Sequence, residues 1–218
     1  MCNQDFKEMI GKVFNQKEEL INAITHGFGA LLAIAALVIL VVLSSMEGTP
    51  WHIVGFTIFG SALVILYTVS TLYHGFTNAR LKELFRKFDH MAIFLLIAAT
   101  YTPFCLTVLN GWIGWSLFGV VWVCAAGGIT LKVFVTGRYE ALSTALYVAM
   151  GWLVVLFIKP VYSAISIEGF VFLMIGGAFY SVGVFFFMRD KVRYFHGIWH
   201  MFVLSGSFFH FFAVLTLL

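Results

Sequence analysis

Seven long apolar stretches determine what this chain can fold into. They lie at residues 20–43, 53–74, 88–109, 113–135, 141–158, 167–188 and 196–218. Most of them contain the roughly 20 residues with which a helix crosses a bilayer. Only 11% of the 218 residues are charged, whereas a soluble domain carries about 25%. The sequence therefore predicts an all-α polytopic membrane protein with seven transmembrane helices.

The first 18 residues are predicted to lie outside this membrane domain. Charged residues interrupt any apolar run there, so the segment does not read as a secretory signal. Its apolar residues follow the spacing of a short amphipathic helix lying in the headgroup region. They are Phe6, Met9, Ile10, Val13 and Phe14. Asn15 followed by Glu18 resembles a capping box and predicts that a new helix begins there. Residues 19–218 are expected to form a single transmembrane domain.

The positions of the basic residues predict the orientation of the chain. Of the 13 Lys and Arg residues, all except Lys159 lie in the N-terminal segment, in the connections after the second, fourth and sixth stretches, or beside them. Basic residues accumulate on the cytoplasmic side of membrane proteins. The N-terminus is therefore predicted to be cytoplasmic and the C-terminus external, in a multi-pass protein of the cell membrane. With an even number of spans, these basic residues would no longer all lie on one side of the membrane.

Polar side chains recur at the predicted cytoplasmic ends of four stretches. They are Glu19, Asn22 and His26 in the first, Ser70 and His74 in the second, Asp89 and His90 in the third, and His196 and His200 in the seventh. In the first, second and seventh stretches the spacing of three or four residues places the side chains on one helix face. Because an ionisable residue within a membrane is costly, such a residue indicates a functional site. We expect these polar groups to meet in the inner part of the membrane.

His196 and His200 form the most specific pair of this set. Two neutral imidazoles four residues apart on a helix can bind one metal ion. Other interpretations remain open at this point. The pair can be half-solvated at the interface, Ser70 can bond its own helix backbone, and Asp89 can cap the third helix or pair with Arg86 or Lys87. Glu19 and Asn22 are expected to support a helix start, and His26 to be a packed, hydrogen-bonded residue. His90 lies about 100° around the helix from Asp89 and is left out of the predicted site.

Three motifs carry a resemblance to a known family. They are Glu19-x2-Asn22-x3-His26, Ser70-x3-His74 followed by Asp89, and His196-x3-His200. In this order they resemble the hemolysin III branch of the progestin and adipoQ receptor family, over essentially the whole membrane core. The resemblance implies a zinc ion held by His74, His196 and His200, with Ser70 and Asp89 beside the ion or its water. It also implies two activities, because some eukaryotic relatives are associated with lipid-amide hydrolysis and the bacterial ones are named for haemolysis.

Our first functional hypothesis is a zinc-dependent hydrolase that cleaves an amide or ester bond of a membrane lipid. Three histidines around zinc leave a fourth tetrahedral position open for water, which becomes a nucleophile near neutral pH. Asp89 is expected to take or orient the proton of this water, and Ser70 to bond a developing oxyanion. A cavity open toward the inner leaflet would admit the lipid.

Two other classes of function compete with hydrolysis. One is a non-enzymatic protein that perturbs or maintains the membrane and uses zinc to hold its helices together. The other is an ion or proton conductor, which the nearly apolar outer half disfavours. A haem between His196 and His210 is rejected, because no second helix carries a histidine at the level of His210. No nucleic-acid partner is expected.

One small-residue pair stands out in the sixth stretch, residues 167–188. Gly177 and Ser181 lie four residues apart, a spacing suited to close contact between helices in membranes. The sequence therefore predicts that this face packs tightly against a neighbouring helix.

Overall fold

The structure, a computed structural model, describes residues 3–109, 111–136 and 139–218, and the side chains of these residues except 3–15 and 135. Its described part contains eight α-helices and one 3-10 helix. They are α1 (Asn3–Glu47), α2 (Pro50–Gly75), α3 (Ala79–Thr107), α4 (Gly111–Val135), α5 (Glu140–Gly151), the 3-10 helix (Leu153–Phe157), α6 (Ile158–Ala164), α7 (Ile167–Phe187) and α8 (Phe195–Leu215). The 3-10 helix joins α5 and α6 into one span, so the described residues provide seven segments able to cross a membrane. The predicted all-α, seven-span architecture is confirmed.

The spans form a closed bundle around α3. Each of α1 to α4 packs on the next, α7 packs on α8, and α8 returns to α1. In the most apolar 18-residue segment of α3, 67% of the residues are buried. In the corresponding segment of α1, only 22% are buried. The third span is therefore the centre of the bundle, and the first presents most of its surface to lipid.

The polar ends of several spans meet at one end of the bundle. The Glu18 carboxylate accepts a hydrogen bond from the Tyr194 backbone N–H at 2.9 Å. Lys82 donates to Glu19 at 2.7 Å. We call this end, which carries residues 76–87 and 188–194, the basic end. The three motifs found in the sequence all lie near it.

Two helices begin earlier than the apolar pattern indicates. The first helix runs from Asn3 to Glu47 without interruption, so the predicted new start at Asn15 is wrong. The membrane placement of the side chains before Gln16 lies outside what the structure describes. The third helix begins at Ala79, nine residues before the predicted start, because the Asn78 side chain accepts from the backbone N–H groups of Arg80 and Leu81. A helix end can extend beyond the apolar core, where its charged residues reach water.

The fifth span is broken in its middle. The regular helix α5 ends at Gly151. The span itself continues to Ala164, because α6 accommodates Pro160 in its first turn, so the predicted end of the span at residue 158 is wrong. Backbone groups freed by the break need partners away from water. The Tyr101 hydroxyl supplies them: it lies 2.8 Å from the Gly151 carbonyl and accepts from the Val154 N–H at 3.0 Å. A side chain of the central helix thus stabilises the irregular span.

Close packing of α7 on α8 uses different glycines from the predicted one. A Cβ atom at Gly177 would meet nothing within 4 Å, so the prediction of tight packing there is wrong. A Cβ at Gly176 would instead collide with the His210 ring, and one at Gly183 would lie 2.7 Å from the Trp199 ring. Contact between these two helices therefore depends on Gly176 and Gly183.

Candidate metal centre

The three predicted histidines meet at the basic end of the bundle. His74 comes from the last turn of α2, and His196 and His200 come from the first turns of α8. One ring nitrogen of each lies within 4.8 Å of those of the other two. The ring centroids are 5.0 Å apart for His74 and His196, 5.0 Å for His74 and His200, and 4.7 Å for His196 and His200. The convergence expected from sequence spacing is thus present.

Glu19 determines which nitrogen of His74 faces the cluster. Its carboxylate oxygen lies 2.9 Å from Nδ1 of His74 and 2.7 Å from Nζ of Lys82. The carboxylate accepts, so Nδ1 carries the proton and Nε2 presents a lone pair. Nε2 of His74 is buried, as is Nε2 of His196, and neither has a hydrogen-bond partner among the described residues. From the sequence, Glu19 was expected only to support a helix start. In the structure it also contacts one of the three clustered histidines.

His200 is held from two sides in the interior. Its ring is only 1% exposed, so the interpretation of this pair as half-solvated interfacial histidines is wrong for His200. Nδ1 lies 3.3 Å from Oγ1 of Thr25, which leaves Nε2 as the nitrogen available for a ligand. The ring also stacks on His26, with centroids 3.5 Å apart and planes 9° from parallel.

This arrangement fits a tetrahedral metal ion. Nitrogens bound to zinc at about 2.0–2.1 Å lie roughly 3.3 Å apart in a tetrahedron. The three candidate ligand nitrogens all lie within 4.8 Å of one another. Buried, unpaired nitrogens are costly unless something binds them. A carboxylate on the outer nitrogen of a metal-binding histidine is a recurrent feature of such sites. The three imidazoles are therefore a group that could hold a metal ion.

Ser70 on α2 and Asp89 on α3 are both buried. Ser70 is fully buried, and its Oγ lies 2.7 Å from Nδ1 of His26, so it does not merely bond its own helix. The Asp89 carboxyl is buried within electrostatic range of His74 and Ser70. Asp89 does not cap α3, which begins ten residues earlier, and the described partner of Arg86 is Glu83 at 2.9 Å.

The remaining histidines lie apart from this cluster. Nδ1 of His90 lies 3.6 Å from Glu140, which also pairs with the fully buried Lys132 at 2.7 Å. His210 sits near the middle of α8, where Nε2 donates to the Leu173 carbonyl at 3.2 Å. Neither His90 nor His210 belongs to the three-histidine cluster.

Three residues that contact the histidines were not assigned to the metal site from the sequence. Glu19 and His26 share one helix face with Asn22, and this spacing was a usable signal for both. Thr25 gave no signal, since a single threonine in an apolar helix usually bonds its own backbone. Only the packing of α1 against α8 brings Thr25 to His200.

An apolar cavity of about 150 Å³ lies next to the cluster. Its lining includes Leu66, Ile93 and Val203. Along their helices, Leu66 lies four residues from Ser70, Ile93 four from Asp89, and Val203 three from His200. Each separation is about one helical turn, a rise of up to about 6 Å along the helix axis. Of the described residues, none of the three clustered histidines lines the cavity. Residues from the middle of the bundle, such as Tyr101 and His210, also contribute to its wall.

Three tyrosine hydroxyls in the cavity wall are bound to protein partners. The Tyr101 hydroxyl donates to the Gly151 carbonyl in the fifth span. The Tyr147 hydroxyl donates to the His90 carbonyl at 2.9 Å, and the Tyr180 hydroxyl lies 2.8 Å from the Ser207 hydroxyl. Since these hydroxyls are already paired, the wall presents mainly hydrocarbon. Such a cavity suits an alkyl chain.

Comparison with known proteins identifies the family. The sequence profile described as Haemolysin-III related matches residues 14–211. The chain is 48% identical over 203 residues to the "Hemolysin-3 homolog" of Bacillus subtilis (strain 168), covering 93% of this chain and 95% of that protein. It is 48% identical over 199 residues to "Hemolysin-3" of Bacillus cereus, covering 91% of each. The chain therefore belongs to the haemolysin-III-related family.

A more distant relative extends the comparison to animals. Human "Monocyte to macrophage differentiation factor" is 29% identical over 203 residues, covering 90% of this chain and 83% of that protein. No solved structure matches the chain. The resemblance inferred from the three motifs is thus confirmed at the level of the family.

Proposed function

We propose that this haemolysin-III-related protein is a zinc-dependent hydrolase acting on an amide or ester bond of a membrane lipid. The observation that carries the proposal is the cluster of His74, His196 and His200, with two buried nitrogens that have no described partner, set one helical turn from an apolar cavity. The cluster supplies a metal site, and the cavity supplies room for the alkyl part of a lipid.

Each residue of the site has a proposed role. His74, His196 and His200 would hold the zinc ion through Nε2. Bound there with an open fourth position, zinc would act as a Lewis acid and make a water molecule nucleophilic near neutral pH. Asp89 would accept the proton from the attacking water and return it to the leaving nitrogen or oxygen as the acyl bond breaks. Ser70 would donate a hydrogen bond to the carbonyl oxygen as negative charge develops on it.

The substrate class follows from the position of the cavity. An acyl chain in the apolar cavity would place its carbonyl group toward the three histidines, because Leu66 and Ile93 in the lining lie about one helical turn from Ser70 and Asp89. The headgroup would then extend toward the basic end. The charge partition predicts that this end faces the cytoplasm, so the substrate would come from the inner leaflet of the cell membrane.

Metal analysis of the purified protein tests the site. His74→Ala and His200→Ala should lose the one equivalent of zinc that the wild type retains after dialysis. His52→Ala is the matched control, because this histidine bonds the Leu217 carbonyl in another part of the bundle. Zinc retained by all three variants would refute the metal site.

Turnover of a panel of lipid amides and esters tests the reaction. The wild type should release free fatty acid, and Asp89→Asn should lower kcat by at least about 100-fold, the range of general acid–base catalysis. Asn is nearly isosteric with Asp, so zinc content and melting temperature should stay close to those of the wild type. Equal rates in the two proteins, or no turnover in either, would reject the hydrolase proposal and leave the metal site standing.

A second candidate function is lysis or maintenance of membranes without catalysis, with zinc in a structural role. The name Hemolysin-3, carried by the Bacillus cereus relative, favours it. In this case the purified protein should release dye from lipid vesicles, and zinc removal should reduce the release together with the melting temperature. Absence of dye release would exclude this function.

A further inference from the structure

His26 contacts the candidate site on two sides, yet it is neither one of the three clustered ligands nor one of the two assisting residues. Its ring is 3% exposed and stacks on His200 at 3.5 Å. Nδ1 lies 2.7 Å from Oγ of Ser70. The ring also meets Tyr67 edge-on at 5.1 Å. His26 is thus enclosed in the interior, in contact with Ser70, His200 and Tyr67.

The hydrogen bonds around Ser70 have one consistent direction. A serine hydroxyl has a single hydrogen to donate. In the proposed reaction this hydrogen goes to the carbonyl oxygen of the substrate. The bond between Ser70 and His26 must then run from Nδ1–H of His26 to Oγ of Ser70.

We infer that His26 is a positioning residue, which fixes Ser70 as a hydrogen-bond donor toward the metal site by donating from its own Nδ1–H. Without this bond the Ser70 hydroxyl can rotate and donate its hydrogen to the backbone carbonyl four residues before it, as serine in a helix commonly does. The inference rests on the proposed role of Ser70 and adds the group that holds Ser70 in that role. His26 itself needs no contact with the substrate.

Two substitutions separate this hydrogen bond from packing. His26→Phe keeps a ring to stack on His200 and to meet Tyr67, but it has no donor for Ser70. His26→Asn loses the ring and keeps an amide N–H near the position of Nδ1. If His26 only fills space, Phe is the better replacement. If it acts through Ser70, Asn is the better one.

The readout is the binding of acetohydroxamic acid to the cobalt-substituted protein, followed by the visible absorption of cobalt. The hydroxamate places an anionic oxygen at the open position, where a donor from Ser70 would bind it. Ser70→Ala and His26→Phe should each weaken binding about tenfold, the effect of one hydrogen bond to a charged group. The double variant should be no weaker than Ser70→Ala alone, because both changes remove one interaction. His26→Asn should stay within about threefold of the wild type.

Several results would overturn the inference. These are additive losses in the double variant, wild-type affinity in His26→Phe or in Ser70→Ala, or a larger loss in His26→Asn than in His26→Phe. If His26→Asn fails to bind cobalt, the cycle between His26→Phe and Ser70→Ala decides alone. If the wild type itself binds no metal, the proposed function fails, and the same cycle is measured in the melting temperature of the metal-free protein. Non-additive losses there support the bond, and additive losses refute it.

Discussion

The carboxylate of Glu19 on α1 lies 2.9 Å from Nδ1 of His74 on α2. This contact leaves Nε2 of His74 directed at the two histidines of α8. The same carboxylate oxygen lies 2.7 Å from Nζ of Lys82 at the start of α3. Three helices thus cooperate to orient one imidazole, although only that imidazole is a proposed metal ligand.

Glu19→Gln should weaken zinc binding about 10- to 100-fold, the usual effect of losing an outer partner of a metal-bound histidine. The amide keeps the shape of the side chain but not the charge that holds the proton on Nδ1. Competition with a chelator of known zinc affinity measures the change. Glu47→Gln, an exposed position at the other end of the same helix, is the control and should match the wild type. Equal affinities for the two variants would show that Glu19 has no part in the site.

Tyr101→Phe should destabilise the protein by about 1–3 kcal/mol, because backbone groups at the break in the fifth span lose their partner away from water. The Tyr101 hydroxyl now serves the Gly151 carbonyl and the Val154 N–H. Equilibrium unfolding in detergent micelles measures the loss. Tyr162→Phe provides the comparison, since Tyr162 is 55% exposed on the same span. Similar stability losses in the two variants would mean that the break does not depend on Tyr101.

Gly176→Ala and Gly177→Ala should differ sharply although the residues are neighbours. A methyl group at Gly176 would collide with the His210 ring, so we expect a loss of about 1–3 kcal/mol from overpacking. A methyl group at Gly177 meets nothing within 4 Å, and alanine is the better helix former by up to about 1 kcal/mol. Melting temperatures of the two variants check this. Tolerance of alanine at both positions would contradict the close contact between α7 and α8.

Orientation can be tested with reporter fusions in bacterial cells. A periplasmic or extracellular enzyme joined after Leu218 should be active, and the same enzyme joined after Asp190 should be inactive. The reason is the concentration of Lys and Arg in the connections on one side. A fluorescent reporter that folds only in the cytoplasm should give the opposite pattern. Activity at Asp190 and none at Leu218 would reverse the predicted topology and place the metal site near the outer leaflet.

Much of the fold followed from hydropathy alone. Seven apolar stretches of sufficient length predicted seven spans, because lipid requires every backbone group to be paired within its own helix. The helix ends were less well predicted. Asn78 starts α3 well before the apolar run, and the break after Gly151 is stabilised by Tyr101, which lies about 50 residues away in sequence.

The candidate site divides in the same way. Regular spacing along each helix predicted that His196 and His200 share a face, and the order of the spans brought His74 and Asp89 to the same end. Spacing cannot show which atom of a ring faces inward or what lies behind it. The contacts of Glu19 with His74, and of His26 with Ser70 and His200, join residues 44 to 174 positions apart.

The sequence by itself determined that seven helices cross the membrane and which of their faces carry polar groups. It could do so because hydropathy and helical periodicity are local properties of the chain. Only the tertiary structure decided that Glu19 faces Nδ1 of His74, that His26 lies between Ser70 and His200, and that an apolar cavity adjoins them. These relations depend on how each helix is rotated against its neighbours, and that rotation is set by packing among all the spans together.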